Sequence, residues 1–357
     1  MKRYVMWLPA LLLVACSSLG ASNGQSGTPA STPSAQLLKV NVGVLTGSAG
    51  LAPMYVAMSQ NLFEKRGIEV VPVYTGAFAE LEAGLDSGSL DISEVGDIFR
   101  SYEKGLHYKG IVGTNHSSAY FDMVCNPTVA ATTGSADDKL HAIAGKKIAL
   151  SGIGSPPYIQ LAAALKNHNM SIDDVTVVNV QVGAPEYAAM EAGQIDCMVG
   201  NPNDAAYLVP AGGRYLALSF GDPGVVPDDV AMASGSWVSM SDWADAHPKE
   251  VAAFAGAWAQ AVLWMEDPNN FDGAQQAIQQ AIGKGAATGT PLETETHAVL
   301  ATLTPVWGTA TAQAGYNADL TDGVLTDPIP NFNPSDFVAA SAPADDAAVQ
   351  RLAAATP

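Results

Sequence analysis

The sequence predicts an α/β protein of two lobes, each a mostly parallel sheet flanked by helices. Three observations carry that expectation. Strand-like and helix-like segments alternate from Leu38 onward, the same order returns 105 residues later, and about 320 residues follow a leader and tether, enough for two lobes with a substantial core.

Residues 39–45 are β-branched and apolar and read as a strand. Residues 53–65 carry helical spacing through Met54, Ala57, Met58 and Leu62, and 68–74 read as a second strand. A helix over 79–85, a strand over 91–95, a helix over 98–105 and a strand over 109–113 complete the first set. The second set has strands over 147–150, 175–180 and 195–200, with helices over 156–168 and 187–192. Gly47 aligns with Gly152, Val70 with Val175, Gly88 with Gly193 and Asp91 with Asp196. From Ser236 the chain turns to long Ala-rich helices. One opens at Pro248 and places Val251, Phe254, Trp258, Val262 and Met265 on one face. The Pro- and Ala-rich segment 328–357 is expected to wrap the surface.

The first residues read as a leader. Met1-Lys2-Arg3 is basic, 4–14 is almost wholly apolar, and Leu13-Val14-Ala15-Cys16 is a small-residue cleavage site ending on cysteine. The apolar run is too short to span a bilayer core, which needs about 20 residues. Residues 1–15 are therefore expected to be a removed signal peptide. Residues 16–36, rich in Ser, Gly, Ala, Thr and Pro, form a flexible tether.

Hydrophobic residues make up 48% of the chain and charged ones 14%, a globular balance. Acidic residues outnumber basic ones 35 to 16, so there is no basic stripe for a nucleic-acid partner. Cys125 and Cys197 each sit in an apolar run. In an oxidising compartment they either pair or remain as ordinary buried thiols.

Ligands of open parallel sheets lie beyond the carboxyl ends of the strands. Seven loops qualify: 46–50, 75–78, 94–97, 114–117, 151–155, 183–186 and 201–204. They contain no Lys or Arg. Gly47, Ser48, Gly76, Gly154 and Ser155 belong to Gly/Ser turns. There, backbone N–H groups at a helix start receive an anionic or electron-rich group, although every α/β protein has such turns. Ser155 before Pro156 also reads as an N-cap. Glu94 and Asp97 favour a ligand with N–H donors or positive charge. Asp97 could equally cap the next helix, and so could Asp204. Asn115, His116 and Asn201 are further polar candidates. Tyr55, Phe78, Tyr120, Tyr158 and Trp237 are rings able to sandwich a ligand or fill the core.

Several runs resemble a known family. Leu51-Ala52-Pro53-Met54-Tyr55-Val56-Ala57, Asn61-Leu62-Phe63-Glu64-Lys65-Arg66-Gly67-Ile68-Glu69-Val70, Leu85-Asp86-Ser87-Gly88-Ser89-Leu90-Asp91-Ile92 and Met190-Glu191-Ala192-Gly193-Gln194-Ile195-Asp196 look like type II periplasmic binding proteins of the nitrate/sulfonate/taurine group, which includes carriers of thiamine-pyrimidine precursors. Cys16 likewise resembles the lipidated cysteine of a bacterial lipobox. The resemblance implies an extracytoplasmic, lipid-anchored, monomeric solute-binding protein of an ABC importer, with the permease subunits as its partners. It implies one lobe from 37–121 plus 229–357 and a second from 122–228, closing about crossovers near 115–122 and 226–236. It adds Leu51 and Pro53 to the expected ligand contacts. It implies capture of a sulfonate/taurine-like or aminopyrimidine-like molecule, with no cofactor. Where family members often carry a small or apolar residue after the third strand, this chain has Glu94 and Asp97, which argues against a purely anionic ligand.

An enzyme is the first competing possibility, since fold-mates in thiamine-precursor synthesis do chemistry. The chain has no Gly-x-Ser-x-Gly elbow, Walker loop or Gly-x-Gly-x-x-Gly, and its six histidines show no metal spacing. A metal-binding lipoprotein and a sensory module of the same fold compete as well. The residues favour a binding protein without catalysis.

Overall fold

The computed structural model describes residues 36–95, 98–116, 121–129, 133–201, 204–205, 207–209, 214–227, 234–283, 290–321 and 325–355. The leader, Cys16 and the tether lie outside the described residues, as do Asp97 and Tyr120. Among the described residues no helix is long and apolar enough to cross a membrane.

Among the described residues two five-stranded sheets form the frame. In the first, β1 (Leu38–Leu45) pairs in parallel with β2 (Ile68–Thr75) and β3 (Ile92–Glu94). β4 (Tyr108–His116) lies at the far edge. The second sheet contains β5 (Asp122–Cys125), β6 (Lys147–Leu150), β7 (Thr176–Asn179), β8 (Cys197–Gly200) and β9 (Tyr215–Ser219). The last strand, β10 (Ser234–Met240), returns to the first sheet. The orders are β2-β1-β3-β10-β4 and β7-β6-β8-β5-β9. The aligned punctuation in the sequence therefore reports a real repeat, because β6, β7 and β8 repeat the pairing of β1, β2 and β3.

The antiparallel strands were not foreseen. β5 runs against β8 and β9, and β10 against β3 and β4, so each sheet is four parallel strands with one reversed. The reason is topological. β5 and β10 are the strands that follow the two crossings between sheets, so each is inserted beside the last parallel strand from the opposite direction.

Helices cover the sheets. α1 (Ala52–Ser59) starts on Pro53, whose missing N–H costs nothing in a first turn. It ends earlier than the helix predicted to residue 65, because Asn61 takes a positive φ and the chain continues as a 3-10 turn over Glu64–Arg66. α2 (Phe78–Asp86), α3 (Ile98–Glu103), α4 (Ala136–Ala142), α5 (Pro156–Asn167), α6 (Ala184–Glu191) and α7 (Ser241–Ala246) follow. α8 (Pro248–Glu266) buries the predicted Val251, Phe254, Trp258, Val262 and Met265. α9 (Phe271–Ile282), α10 (Thr290–Thr302), α11 (Thr309–Thr321) and α12 (Asp346–Ala354) complete the chain. The C-terminal segment does more than wrap the surface. Phe337 is buried against Phe99 and Phe332, and the Arg66 guanidinium donates to the carbonyls of Ala353 and Ala355.

Cys125 and Cys197, left open on sequence alone, form a disulfide between neighbouring strands β5 and β8. Both are fully buried.

Candidate functional site

Parallel strands point their carboxyl ends the same way, so the loops that follow them gather along one edge of each sheet. A cleft of about 1270 Å³, part of it open to solvent, lies along these edges. Leu45 ends β1 and Ser48 follows it, Phe78 opens α2 after β2, and Glu94 ends β3 with Val95 next to it. The second sheet supplies Ser151 after β6, Val182 and Glu186 after β7, and Gly200 and Asn201 at the end of β8. Asn115, Phe121, Gly235 and Ser236 come from the two crossings, and Phe99, Gln160, Trp307 and Asp319 from helices and a loop. Among the described residues lining it there is no Lys or Arg.

Of the predicted set, the cleft brings together Ser48, Phe78, Glu94, Asn115 and Asn201. The rest are placed differently. Trp237 is fully buried, edge-on to Phe254 and Trp258 with ring centroids 5.2 Å away in each case, and is core. Leu51 and Pro53 are buried, Tyr55 stacks on Tyr74, and Tyr158 packs on the core. Burial, then Tyr74, pushes the Tyr55 hydroxyl up to about 12. Gly47 donates its N–H to Ala281 O at 3.2 Å rather than leaving it free, and Gly76 is closely approached by the Gln181 side chain. Ser155 occupies the N-cap, but its hydroxyl donates to Gly152 O at 2.7 Å and makes no cap bond. Ser155 and Gly154 line a smaller pocket beside Arg100. Only the backbone of His116, at the end of β4, is described.

The electrostatics of the cleft are set by carboxylates. Glu94 Oε2 is sealed from solvent with no hydrogen-bond partner, and burial raises the Glu94 carboxyl to about 7. Close by, a Cβ on Gly235 would crowd Thr114 Oγ1 at 2.6 Å and Asn115 Oδ1 at 2.9 Å, with Glu94 Oε1 at ordinary contact distance. Glu186 is 2% exposed and accepts the Gly183 N–H at 3.2 Å. Asp204, predicted as a cap or a ligand contact, is 1% exposed and accepts the Tyr187 hydroxyl. It stands just behind the cleft wall, since a Cβ on Gly200 would touch its Oδ2. Burial raises both Glu186 and Asp204, and their proximity raises Glu186 further. On α10, Glu295 has neither oxygen hydrogen-bonded, and burial followed by Asp204 raises it to about 8. Asp122, at the start of β5, is lifted to about 6 by burial, against a hydrogen bond from Ser219 and with a push from Asp222.

Sequence reasoning missed Glu186, Gln160, Trp307, Asp319 and Glu295. The loop 183–186 was named, but Gly-x-x-Glu ahead of a helix reads as a capping pattern and gives no sign of burial. Trp307, whose indole donates to Phe337 O at 3.1 Å, and Asp319 arrive from the helical C-terminal region, where no strand period marks a loop.

Two sheets of this order with a cleft along their carboxyl edges define the two-lobed periplasmic binding protein fold. Likeness to known proteins agrees. The family model described as NMT1/THI5 like matches residues 48–270, and the chain belongs to that family. It is 27% identical over 307 residues to the nitrate/nitrite binding protein NrtA of Synechococcus elongatus. That match covers 76% of this chain and 66% of the relative's length. Among solved structures it resembles the alkanesulfonate-binding protein SsuA of Xanthomonas axonopodis pv. citri bound to MOPS. There the TM-score is 0.68 and the identity 18%, over 83% of this chain and 96% of that one. It also resembles the periplasmic nitrate-binding protein NrtA of Synechocystis PCC 6803, with a TM-score of 0.64 and 13% identity over 89% of each chain.

Proposed function

We propose that this chain is the extracytoplasmic solute-binding component of an ABC importer. It captures a small organic molecule, sulfonate/taurine-like or aminopyrimidine-like, between its two lobes and presents it to the permease. The single observation that carries this is the cleft itself, which takes equivalent loops from both sheets and gathers apolar rings with a few buried polar groups. The lobes are 37–121 with 229–357, and 122–228. Closure about the two crossings shifts an open–closed equilibrium by the ligand's differential affinity. Lipidation of Cys16 holds the protein at the membrane, and no bond in the ligand is broken. Kinship to nitrate- and sulfonate-binding proteins supports the role. The acid-lined wall favours a ligand that brings N–H groups over a bare anion.

A thermal-shift screen with taurine, alkanesulfonates, nitrate and aminopyrimidines tests the reading, since a specific ligand stabilises by mass action. Stabilisation by an amine-bearing compound, weakened in Glu94→Gln, is the expected result. Tight binding of nitrate unaffected by that substitution contradicts the ligand choice. Palmitate incorporation that persists in Cys16→Ser contradicts the anchor.

A further inference from the structure

We infer that the cleft holds an organic dication, a molecule with two separated ammonium or amidinium ends joined by an apolar or aromatic body. One end goes to Glu94 and the other to Glu186. This rests on the binding role proposed above and specifies its ligand. The first acidic position lies at the end of β3, where Glu94 lines the cleft and its Oε2 is enclosed without a hydrogen-bond partner. The second comes from the other sheet, where Glu186 lines the same cleft. Behind Glu186 stand Asp204, and Glu295 on α10 of the first lobe, 1% exposed with both oxygens unpartnered. Carboxylates out of water without a cation are costly, and among the described residues lining the cleft there is no Lys or Arg to offset them. A cation brought by the ligand supplies what these described lining residues do not. Among the described residues no three acidic or His/Cys side chains gather at metal-holding spacing, so an organic cation suits the arrangement better than a bare ion. Phe78, Phe99, Phe121 and Trp307 line the same cleft and suit an apolar or aromatic body.

The test is isothermal titration of the full chain with a matched series: para-xylylenediamine, benzylamine, the uncharged para-xylylene glycol, and the aliphatic putrescine and agmatine. At least one dication is expected to bind about tenfold or more tightly than benzylamine, with the glycol weaker still. Glu94→Gln and Glu186→Gln should each reduce that dication to the level of the monoamine. Glutamine keeps the volume and an acceptor oxygen at each position, so an unliganded melting temperature that does not fall at pH 8 identifies a loss of affinity as a ligand effect. Benzylamine binding as tightly as every dication overturns the inference while leaving an amine-binding protein standing. Retention of full dication affinity in either variant also overturns it. Absence of binding by the whole series overturns it too, and leaves the broader reading to the taurine and aminopyrimidine screen.

Discussion

Replacing Glu94 with Gln isolates the cost of one buried charge. Glu94 has an ordinary value of 4.5, raised to about 7 by burial. A carboxyl raised on folding costs nothing where it is protonated in both states, below pH 4.5. Its contribution to stability is lost as pH climbs through 7. The shift corresponds to about 3 kcal/mol at pH 8 and to less than about 1 kcal/mol at pH 5. Glutamine keeps the shape and cannot ionise. With an unfolding entropy near 2.1 cal/mol/K per residue over about 320 residues, 1 kcal/mol is worth about 1.5 °C. The melting temperature of Glu94→Gln relative to the parent should therefore rise by about 4 °C between pH 5 and pH 8. Differential scanning calorimetry of both proteins at the two pH values reads this directly. Any fixed cost of the amide cancels in the comparison. An unchanged gap, or one that moves the other way, refutes the assignment of Glu94 as a half-buried carboxyl whose enclosed Oε2 has no partner.

The disulfide closes a loop of 72 residues, for which chain entropy gives about 4 kcal/mol. Cys125→Ala with Cys197→Ala should lower the urea midpoint accordingly, and a parent insensitive to reductant in the unfolding transition speaks against it. Trp237→Ala should cost about 3–5 kcal/mol in urea unfolding while the folded fraction keeps its ligand affinity. Phe78→Ala should do the reverse, with affinity falling more than stability. Arg66→Ala removes the bonds to Ala353 and Ala355 and to Gln260 Oε1 at 3.1 Å, so amides of 346–354 should exchange faster. Unchanged exchange there contradicts the clamp.

Much of the frame was legible because period and punctuation are local. The alternation of strand and helix, the aligned Gly88 and Gly193, and the apolar face of Val251, Phe254 and Trp258 follow from spacing alone. The loops at the strand ends were legible for the same reason, and Glu94 stood out because a carboxylate after a buried strand has no local excuse. What failed was non-local. Trp237 was a candidate ring until the packing of α8 enclosed it. Ser155 held its position but bonded backwards to Gly152. Glu295 lies about 90 residues after Asp204, and only the fold sets their charges side by side. The reversed strands β5 and β10 came from how the chain crosses between sheets, which no period encodes.

Kinship and cleft chemistry pull the ligand in different directions, and pH separates them. A fold hosts many ligands, so the names of relatives bear on role more than on what this cleft accepts. A unit negative charge 4 Å from an ionised carboxylate costs about 4 kcal/mol at an effective dielectric of 20, nearly a thousandfold in affinity. An anion entering beside Glu94 and Glu186, with Asp204 behind the wall, has to bring protons with it. Its affinity should therefore fall as pH rises from 5 to 8. A cation displaces those protons, so its affinity should rise over the same interval, with Glu94 leaving its protonated form near pH 7. Titration calorimetry of one bound amine at several pH values, in buffers of different ionisation enthalpy, counts the protons released. Proton uptake on binding, or affinity that is flat across this range, means these carboxylates do not read the ligand's charge.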